Sequence, residues 1–303
     1  MNHLATRPLF ALLAIATLTS ACAASSGGTQ ASTSTTPTSS GSTSPSATVD
    51  PCANGSLQTH AAGRLTIATD DPVYPPWFSG DNKPQDGKGY EGAVAAAVAG
   101  KLGFTPDKVT WTRVPFNNVF KPTAKNWDFD INEFSITAKR KQALDFSSPY
   151  YDVTQAVVTT KGSKAASATS LAALKGLSIG AQVGTTSLQA IKDSIAPSKN
   201  PRVYNSNNDV VKALENGQID ALVTDLPTAF YMSGAQLDKA TVVGQFAAPT
   251  GATAEHFSLV LAKGSSLTPC LNGAIAAITA DGTLAAITKE WLSDKASAPF
   301  FTP

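Results

Sequence analysis

The chain has 303 residues, with 23 lysines and arginines against 22 aspartates and glutamates, so its formal net charge is +1 at pH 7. This balance gives no electrostatic basis for binding nucleic acid or an anionic membrane surface. At this length, and with 42% hydrophobic residues, we expect one or two folded domains with a sizeable core.

The first residues are typical of an export signal. Their apolar core, from Leu9 to Leu18, is too short to cross a bilayer. The small residues that follow lead to Cys22 and resemble a bacterial lipobox, although Thr19 stands where leucine is usual. We therefore predict that residues 1–22 are a lipoprotein signal peptide and that acylated Cys22 anchors the exported protein on the outer face of the bacterial cytoplasmic membrane, or in the periplasm. The alternative is plain secretion after cleavage near Ala24.

The segment that follows the signal has a low-complexity composition. Residues 23–50 are dominated by Ser, Thr, Gly, Ala and Pro, so we expect a disordered tether that cannot bury enough apolar surface to fold. Beyond it the remaining cysteines are Cys52 and Cys270. Disulfides persist in exported proteins, so a bridge between these two is the natural pairing. Two separately buried thiols are the alternative.

The folded region opens with alternating types of element. A strand at Leu65–Thr69, a helix at Gly92–Leu102 and a second strand at Lys108–Val114 predict a βαβ unit and a parallel sheet. The glycines of residues 87–92 match GxGxxG, but no strand directly precedes them. We interpret them as turn glycines rather than as a nucleotide site.

Residues 127–151 carry the clearest signal for binding. Apolar and polar residues alternate from Phe129 to Phe134, which predicts a buried strand, and Ser135 and Thr137 then lead to Arg140. Open α/β sheets bind ligands at the carboxyl ends of their strands, and a planar guanidinium there can hold both oxygens of a carboxylate. The alternative is that the Lys-Arg-Lys run forms a solvated face.

Two later segments also deliver candidate groups. Thr185 and Thr186 stand at a predicted helix start, where free N–H groups can hold an anion, or where a threonine is simply an ordinary cap. Asp225 follows the apolar strand Ile219–Thr224, and its carboxylate could receive an ammonium group or cap the next helix.

The order of these features resembles the family 3 bacterial extracellular solute-binding proteins, the amino-acid receptors of ABC importers. The resemblance runs from about Arg64 to Leu292 and is carried by the segments LTIATDDPVYPPW, GYEGAVAAAVAGKLGF, SITAKRKQALDFSSPYY, LKGLSIGAQVGTTS, ALENGQIDALVTD, LAKGSS and ADGTLAAITKEWL. It implies an α/β fold, a two-lobed periplasmic-binding-protein-like clam-shell of type II with the ligand cleft between its lobes. Residues 51–152 plus 251–303 would form lobe 1, and residues 153–250 would form lobe 2.

The resemblance also implies roles at the ligand. Arg140 would bind the α-carboxylate, and Asp225 would receive the α-amino group. The resemblance further implies an aromatic pair around the ligand, contacts to its side chain from both lobes, and a hydroxyl and backbone groups that assist Arg140; these residues are Tyr74, Phe116, Asp70, Gln182, Ser135, Thr185 and Thr186.

A departure from the family pattern concerns the ligand side chain. Asn132 and Glu133 stand where many members of the family carry Ser, Gly or Ala. With Asp70, and with Asp71 beside it, Glu133 would make an acidic pocket that favours a cationic or amide side chain over an acidic one. The alternative is that Glu133 turns away or pairs with a lysine.

We therefore predict an extracytoplasmic substrate-binding receptor of an ABC importer, which binds a polar amino acid by cleft closure and is not an enzyme. Its partners would be the ligand, a permease and an ATPase. We expect a monomer without cofactor or metal, without nucleic acid, and with membrane contact only through the lipid anchor. Two alternatives are a dehydratase-like enzyme on the same fold, with Glu133 as general acid, and a free-standing amino-acid sensor.

Overall fold

Apolar segments of the chain form two five-stranded sheets. The structure is a computed structural model, and the residues it describes are 50–78, 81–247, 254–292 and 297–302. The predicted signal peptide with Cys22 and, apart from Asp50, the predicted tether lie outside the described residues. The lipid anchor therefore stays a prediction.

The strands alternate with helices along most of the chain. In chain order the strands are β1 Leu65–Thr69, β2 Val109–Arg113, β3 Phe129–Asp130, β4 Leu144–Val153, β5 Gln155–Thr160, β6 Ile179–Gln182, β7 Arg202–Tyr204, β8 Ala221–Asp225, β9 Ala240–Gln245 and β10 Glu255–Ala262. The helices are α1 Tyr90–Lys101, α2 Phe116–Val119, α3 Ala138–Lys141, α4 Leu171–Leu174, α5 Thr186–Ala190, α6 Asn207–Glu215, α7 Leu226–Tyr231, α8 Thr268–Ala280 and α9 Thr283–Trp291.

Each sheet is the centre of one lobe. Lobe 1 has the strand order β2-β1-β3-β10-β4, in which β1 runs parallel to β2 and β3 while β10 is antiparallel to β3 and β4. Lobe 2 has the order β7-β6-β8-β5-β9, with β6 parallel to β7 and β8 and with β5 antiparallel to β8 and β9. The chain passes between the lobes from β4 to β5 and again from β9 to β10.

Both faces of each sheet are covered by apolar side chains. In lobe 1 one face packs under α1, α8 and α9, and the other packs against a cluster that includes Phe116, Phe134 and Val260. Two further clusters cover the two faces of the lobe 2 sheet. All five residues of β1 are buried, as is usual for a strand covered on both faces.

Within the described residues, no single helix is long and apolar enough to cross a membrane; α8 and α9 meet that test only as a pair, bent by 75°.

A disulfide closes lobe 1. It joins Cys52 to Cys270 on α8, across 218 residues of sequence, with the two Cα atoms 5.2 Å apart. Both cysteines belong to the apolar cluster under the lobe 1 sheet. The bridge therefore fixes the start of the folded region to a helix near the end of the chain.

The C-terminal residues depart from the predicted lobe boundary. The prediction assigned residues 251–303 to lobe 1, but Phe301 is buried in the apolar core of lobe 2, and Phe300 forms a parallel bridge with Gln245 of β9. The reason is local shape, because Gly244 has no side chain and the Phe301 ring lies 2.9 Å from where its Cβ would be. The end of the chain thus completes lobe 2.

The GxGxxG glycines make a close backbone crossing. Gly87 and Gly89 lie between a 3-10 turn at Pro84–Asp86 and helix α1, and Gly92 lies in the first turn of α1, so no strand leads into them. Gly89 has φ +87°, and a Cβ added to it would lie 2.4 Å from the Cα of Phe78. The glycine at this position is therefore required by backbone geometry.

We predict that Gly89→Ala lowers the free energy of unfolding by at least about 2 kcal/mol, because the new Cβ adds both backbone strain and a clash with Phe78. Urea denaturation measures the loss. The matched control is Gly100→Ala on α1, where a Cβ meets nothing within 4 Å and alanine stabilises a helix by about 0.5–1 kcal/mol. Equal stability of the two variants would contradict this account of Gly89.

Candidate functional site

Most of the predicted ligand-binding residues line one cavity between the lobes. Its volume is about 310 Å³, and it lies at the carboxyl ends of β1, β3, β6 and β8. The predicted residues that line it are Asp70, Tyr74, Phe116, Asn132, Glu133, Arg140, Gln182, Thr185, Thr186 and Asp225. Ser135 is the exception, since it is 1% exposed and lies behind the lining.

Arg140 is held inside although its neighbours are not. The hydroxyl of Thr137 accepts a hydrogen bond from the Arg140 N–H and so begins the single turn of α3. Lys139 and Lys141 are exposed, whereas Arg140 is 8% exposed and its guanidinium lies 4.8 Å from the ring centre of Phe120. The solvated-face alternative is therefore wrong for Arg140.

The guanidinium of Arg140 connects the two lobes. It donates one hydrogen bond to the carbonyl of Ser135 in lobe 1, at 2.7 Å, and one to the carbonyl of Gly184 in lobe 2, at 3.0 Å. Burial lowers the pKa of Arg140 to about 10, a shift that nearby Glu255 and Asp225 oppose. The side chain therefore stays cationic near neutral pH and faces the cavity from lobe 1.

Asp225 is the acid of lobe 2 that faces this cavity. It stands at the N-cap position of α7, but its side chain makes no capping hydrogen bond. Its Oδ1 instead accepts from Nε2 of Gln155, at 2.6 Å, and the same amide donates to Glu255 at 3.0 Å. Enclosure between the lobes raises the pKa of Asp225 well above its usual value, and nearby Glu255 raises it further.

Glu133 lies in the lining and bonds to the opposite lobe. Its φ is +51°, its N–H donates to Glu91 at 2.6 Å, and its Oε2 accepts from the hydroxyl of Thr228 at 2.6 Å. Enclosure raises the pKa of Glu133 well above its usual value, with Asp225 and Glu91 adding to the shift. The alternative in which Glu133 pairs with a lysine is wrong, because its carboxylate accepts a hydrogen bond from Thr228 instead.

Further acids and amides line the cavity. Burial raises the pKa of Asp70, whose Oδ1 accepts from the N–H of Asp71 at 2.7 Å. From lobe 2, Gln182 and residues 205–208 also line the cavity; this segment ends the loop before α6 and begins that helix. The Asn208 amide bonds to the hydroxyl of Tyr74. Sequence reasoning missed this segment, because an Asn/Ser run at a helix start is also the pattern of an ordinary cap; Ser206 does cap α6.

The two threonines of lobe 2 have a structural role as well as a place in the lining. The hydroxyl of Thr185 caps α5 by accepting from the N–H of Leu188, at 3.1 Å. The ordinary-cap alternative therefore describes this hydroxyl correctly. The hydroxyl of Thr186 lies 3.4 Å from the hydroxyl of Ser135. The Ser135 hydroxyl donates a hydrogen bond to the carboxylate of Glu255 at 2.5 Å. Ser135 thus supports the site through its neighbours.

The charges of the lining are unequal. Among the described residues that line the cavity, Arg140 is the one cation, against the carboxyl groups of Asp70, Asp71, Glu133 and Asp225. Such a cavity can hold a small molecule with one anionic group and at least one cationic group. Among the described residues, no group of three or more His, Cys, Asp and Glu side chains is arranged to hold a metal ion.

Comparison with known proteins gives a family match over most of the folded region. Residues 65–294 match the family described as bacterial extracellular solute-binding proteins, family 3. A probable histidine-binding protein of Neisseria gonorrhoeae is 28% identical over 73% of this chain and 80% of its own length. An L-cystine-binding protein of Escherichia coli strain K12 is 29% identical over 76% of this chain and 82% of its own.

A solved structure is similar in fold. An ancestral arginine-binding protein bound to arginine has a TM-score of 0.63 and 29% identity, covering 76% of this chain and 98% of that one. This likeness and the two sheets confirm the predicted α/β fold, a two-lobed clam-shell of type II with a cleft between its lobes.

We predict that Asp225→Asn raises the melting temperature of the ligand-free protein at pH 8 by at least about 2 °C. The pKa of Asp225 is higher in the folded protein than in the unfolded chain. Its contribution to stability is therefore greatest at a pH below its pKa in the unfolded chain, and it is lost as the pH rises toward its pKa in the folded protein. The asparagine carries no such cost, so the difference should shrink as pH is lowered to 5. Differential scanning calorimetry measures it.

The control for this experiment is Asp238→Asn, which makes the same change in charge at an exposed position. A melting temperature of Asp225→Asn at or below that of the control at pH 8 would contradict the account of Asp225.

Proposed function

Since the chain belongs to the bacterial extracellular solute-binding proteins, family 3, we propose that it is the substrate-binding receptor of an ABC importer and binds a polar amino acid by cleft closure. One observation carries the proposal: a buried cation from lobe 1 and an enclosed acid from lobe 2, Arg140 and Asp225, face one cavity. An amino acid carries the complementary pair of charges on two groups that are bonded to the same carbon atom. It can therefore bridge the lobes.

In this proposal the α-carboxylate takes the guanidinium of Arg140 as a two-pronged donor. The amino group lies against Asp225, where its positive charge stabilises an ionised carboxylate that is costly in the empty cavity. The ligand can make both contacts at once only when the lobes are close together, so ligand binding favours the closed clam-shell. Closure also excludes water, which strengthens both contacts.

We propose a cationic or amide side chain for the ligand. Asp70 and Asp71 supply further negative charge to the lining, and Asn117, Asn132 and Gln182 supply amides. Two of the relatives described above are said to bind histidine and arginine, which supports this class. An acidic side chain would instead be placed against like charge.

The proposal places the protein outside the cytoplasmic membrane, with a permease and an ATPase as partners and Cys22 as its lipid anchor. It assigns no catalytic step to the cavity. The two histidines among the described residues lie elsewhere: His60 is exposed, and His256 pairs with Asp152 at 2.6 Å outside the cavity.

We predict that Arg140→Ala and Asp225→Ala each weaken amino-acid binding at least about 30-fold, because each leaves one end of the zwitterion unpaired in an enclosed site. Isothermal titration measures the dissociation constants. Lys139→Ala is the matched control, since it removes an exposed cation from the same run and should leave binding unchanged. Unchanged affinity in either site variant would remove that residue from the site, and no binding of any amino acid by the wild type would refute the proposed function.

We predict a second effect on ligand preference. The wild type should bind arginine, lysine or glutamine more tightly than glutamate. Asp70→Asn should weaken binding of the cationic ligands about 10-fold while changing glutamine binding much less, because it removes charge but keeps an amide. Titration of one protein with both kinds of ligand provides the internal control. Equal losses for arginine and glutamine would show that Asp70 does not read the side-chain charge.

A further inference from the structure

Three side chains form a hydrogen-bonded chain across the cleft. The indole Nε1 of Trp77 donates to the hydroxyl of Thr228 at 2.7 Å, and that hydroxyl donates to Oε2 of Glu133 at 2.6 Å. Trp77 and Glu133 belong to lobe 1, whereas Thr228 lies on α7 of lobe 2. Trp77 is 2% exposed and Thr228 is 5% exposed, so water does not readily replace either bond.

The lobe 1 half of this chain is held rigidly. The Trp77 ring makes edge-to-face contacts with Tyr90, Tyr151 and Phe257, at centroid distances of 5.8, 5.6 and 5.4 Å, which fix the direction of its N–H. The Glu133 backbone is anchored by its hydrogen bond to Glu91. The indole N–H of Trp77 and the backbone of Glu133 are therefore held in place by contacts within lobe 1.

The lobe 2 part of this hydrogen-bonded chain is the hydroxyl of Thr228, which lies near Asp225. Thr228 lies in the first turn of α7, three residues after Asp225. A hydroxyl has one proton to donate, and Thr228 uses it on Glu133 while accepting from Trp77. Separation of the lobes breaks both hydrogen bonds at once. The same contact brings the Glu133 carboxylate to the first turn of α7, which directly follows Asp225.

We propose that Thr228 is the positioning residue of a cross-lobe latch, which holds the cleft closed through Trp77 and Glu133 and sets the Glu133 carboxylate beside Asp225 at the amino end of the ligand. The inference rests on the proposed function for the ligand's identity. It changes the role predicted for Glu133, which on this account acts on closure and on the amino group that every amino acid shares. Asp70 is then the residue that distinguishes between ligand side chains.

The latch predicts a loss that is the same for every ligand. Thr228→Val keeps the shape of the side chain but leaves the Trp77 donor and the Glu133 acceptor unpaired. We expect affinity for each bound amino acid to fall about 10-fold, mainly through faster dissociation, with the order of preference unchanged. Thr228→Ser should restore binding. Thr241→Val, the same substitution on β9 away from the cavity, should behave as the wild type.

A double-mutant cycle tests whether the bond itself acts. Trp77→Phe removes the N–H donor and keeps an aromatic ring, so the variant with both Trp77→Phe and Thr228→Val should lose clearly less than the product of the two single losses. Stopped-flow binding measures the dissociation rates. Losses that simply multiply, or an unchanged dissociation rate in Thr228→Val, would overturn the latch.

Small-angle scattering of the ligand-free proteins separates this inference from the proposed function. The latch predicts a larger radius of gyration for Thr228→Val than for the wild type and for Thr228→Ser. Equal radii in all three proteins overturn the latch, whatever ligand the cavity takes. Failure of the wild type to bind any amino acid would overturn the proposed function, while the scattering comparison would still decide the latch.

Discussion

The structure depends on one buried cation between its lobes. Desolvating a guanidinium is costly, and here the cost is offset by carbonyl groups of Ser135 and Gly184, by aromatic ring faces, and by nearby acids. Since those partners come from both lobes, Arg140 is fully satisfied only when the cleft is closed. The same guanidinium that bonds to both lobes is suited to a carboxylate.

The acidic side chains of the cavity are destabilised in their ionised form by enclosure between the lobes. Enclosure raises the pKa values of Glu133 and Asp225, so an empty closed cavity holds these carboxyl groups in an unfavourable environment. A ligand with an ammonium group relieves that cost. The stability that the fold gives up at these positions is therefore recovered on binding, which is the usual relation between a pre-formed binding site and the stability of the empty protein.

The sequence predicted the groups that stand at strand ends, because a buried strand and the polar residue that follows it form a local pattern. Arg140 and Asp225 were predicted in this way, whereas the role of Asp70 came from the family resemblance; all three line the cavity. Thr228 carries no such signal: it is one threonine in a helix, and its role depends on how the lobes meet. The C-terminal residues were assigned to the wrong lobe for a similar reason. Phe301 packs into the core of lobe 2 because Gly244, on a strand that is distant in sequence, has no side chain in the space that the ring occupies.

A crystal structure of the protein with bound arginine tests the central claim most directly. The account predicts the α-carboxylate within hydrogen-bonding distance of the Arg140 guanidinium, the amino group against Asp225, and the side chain directed toward Asp70, with both lobes in contact with the ligand. A ligand bound with its carboxylate away from Arg140, or held by one lobe alone, would contradict it.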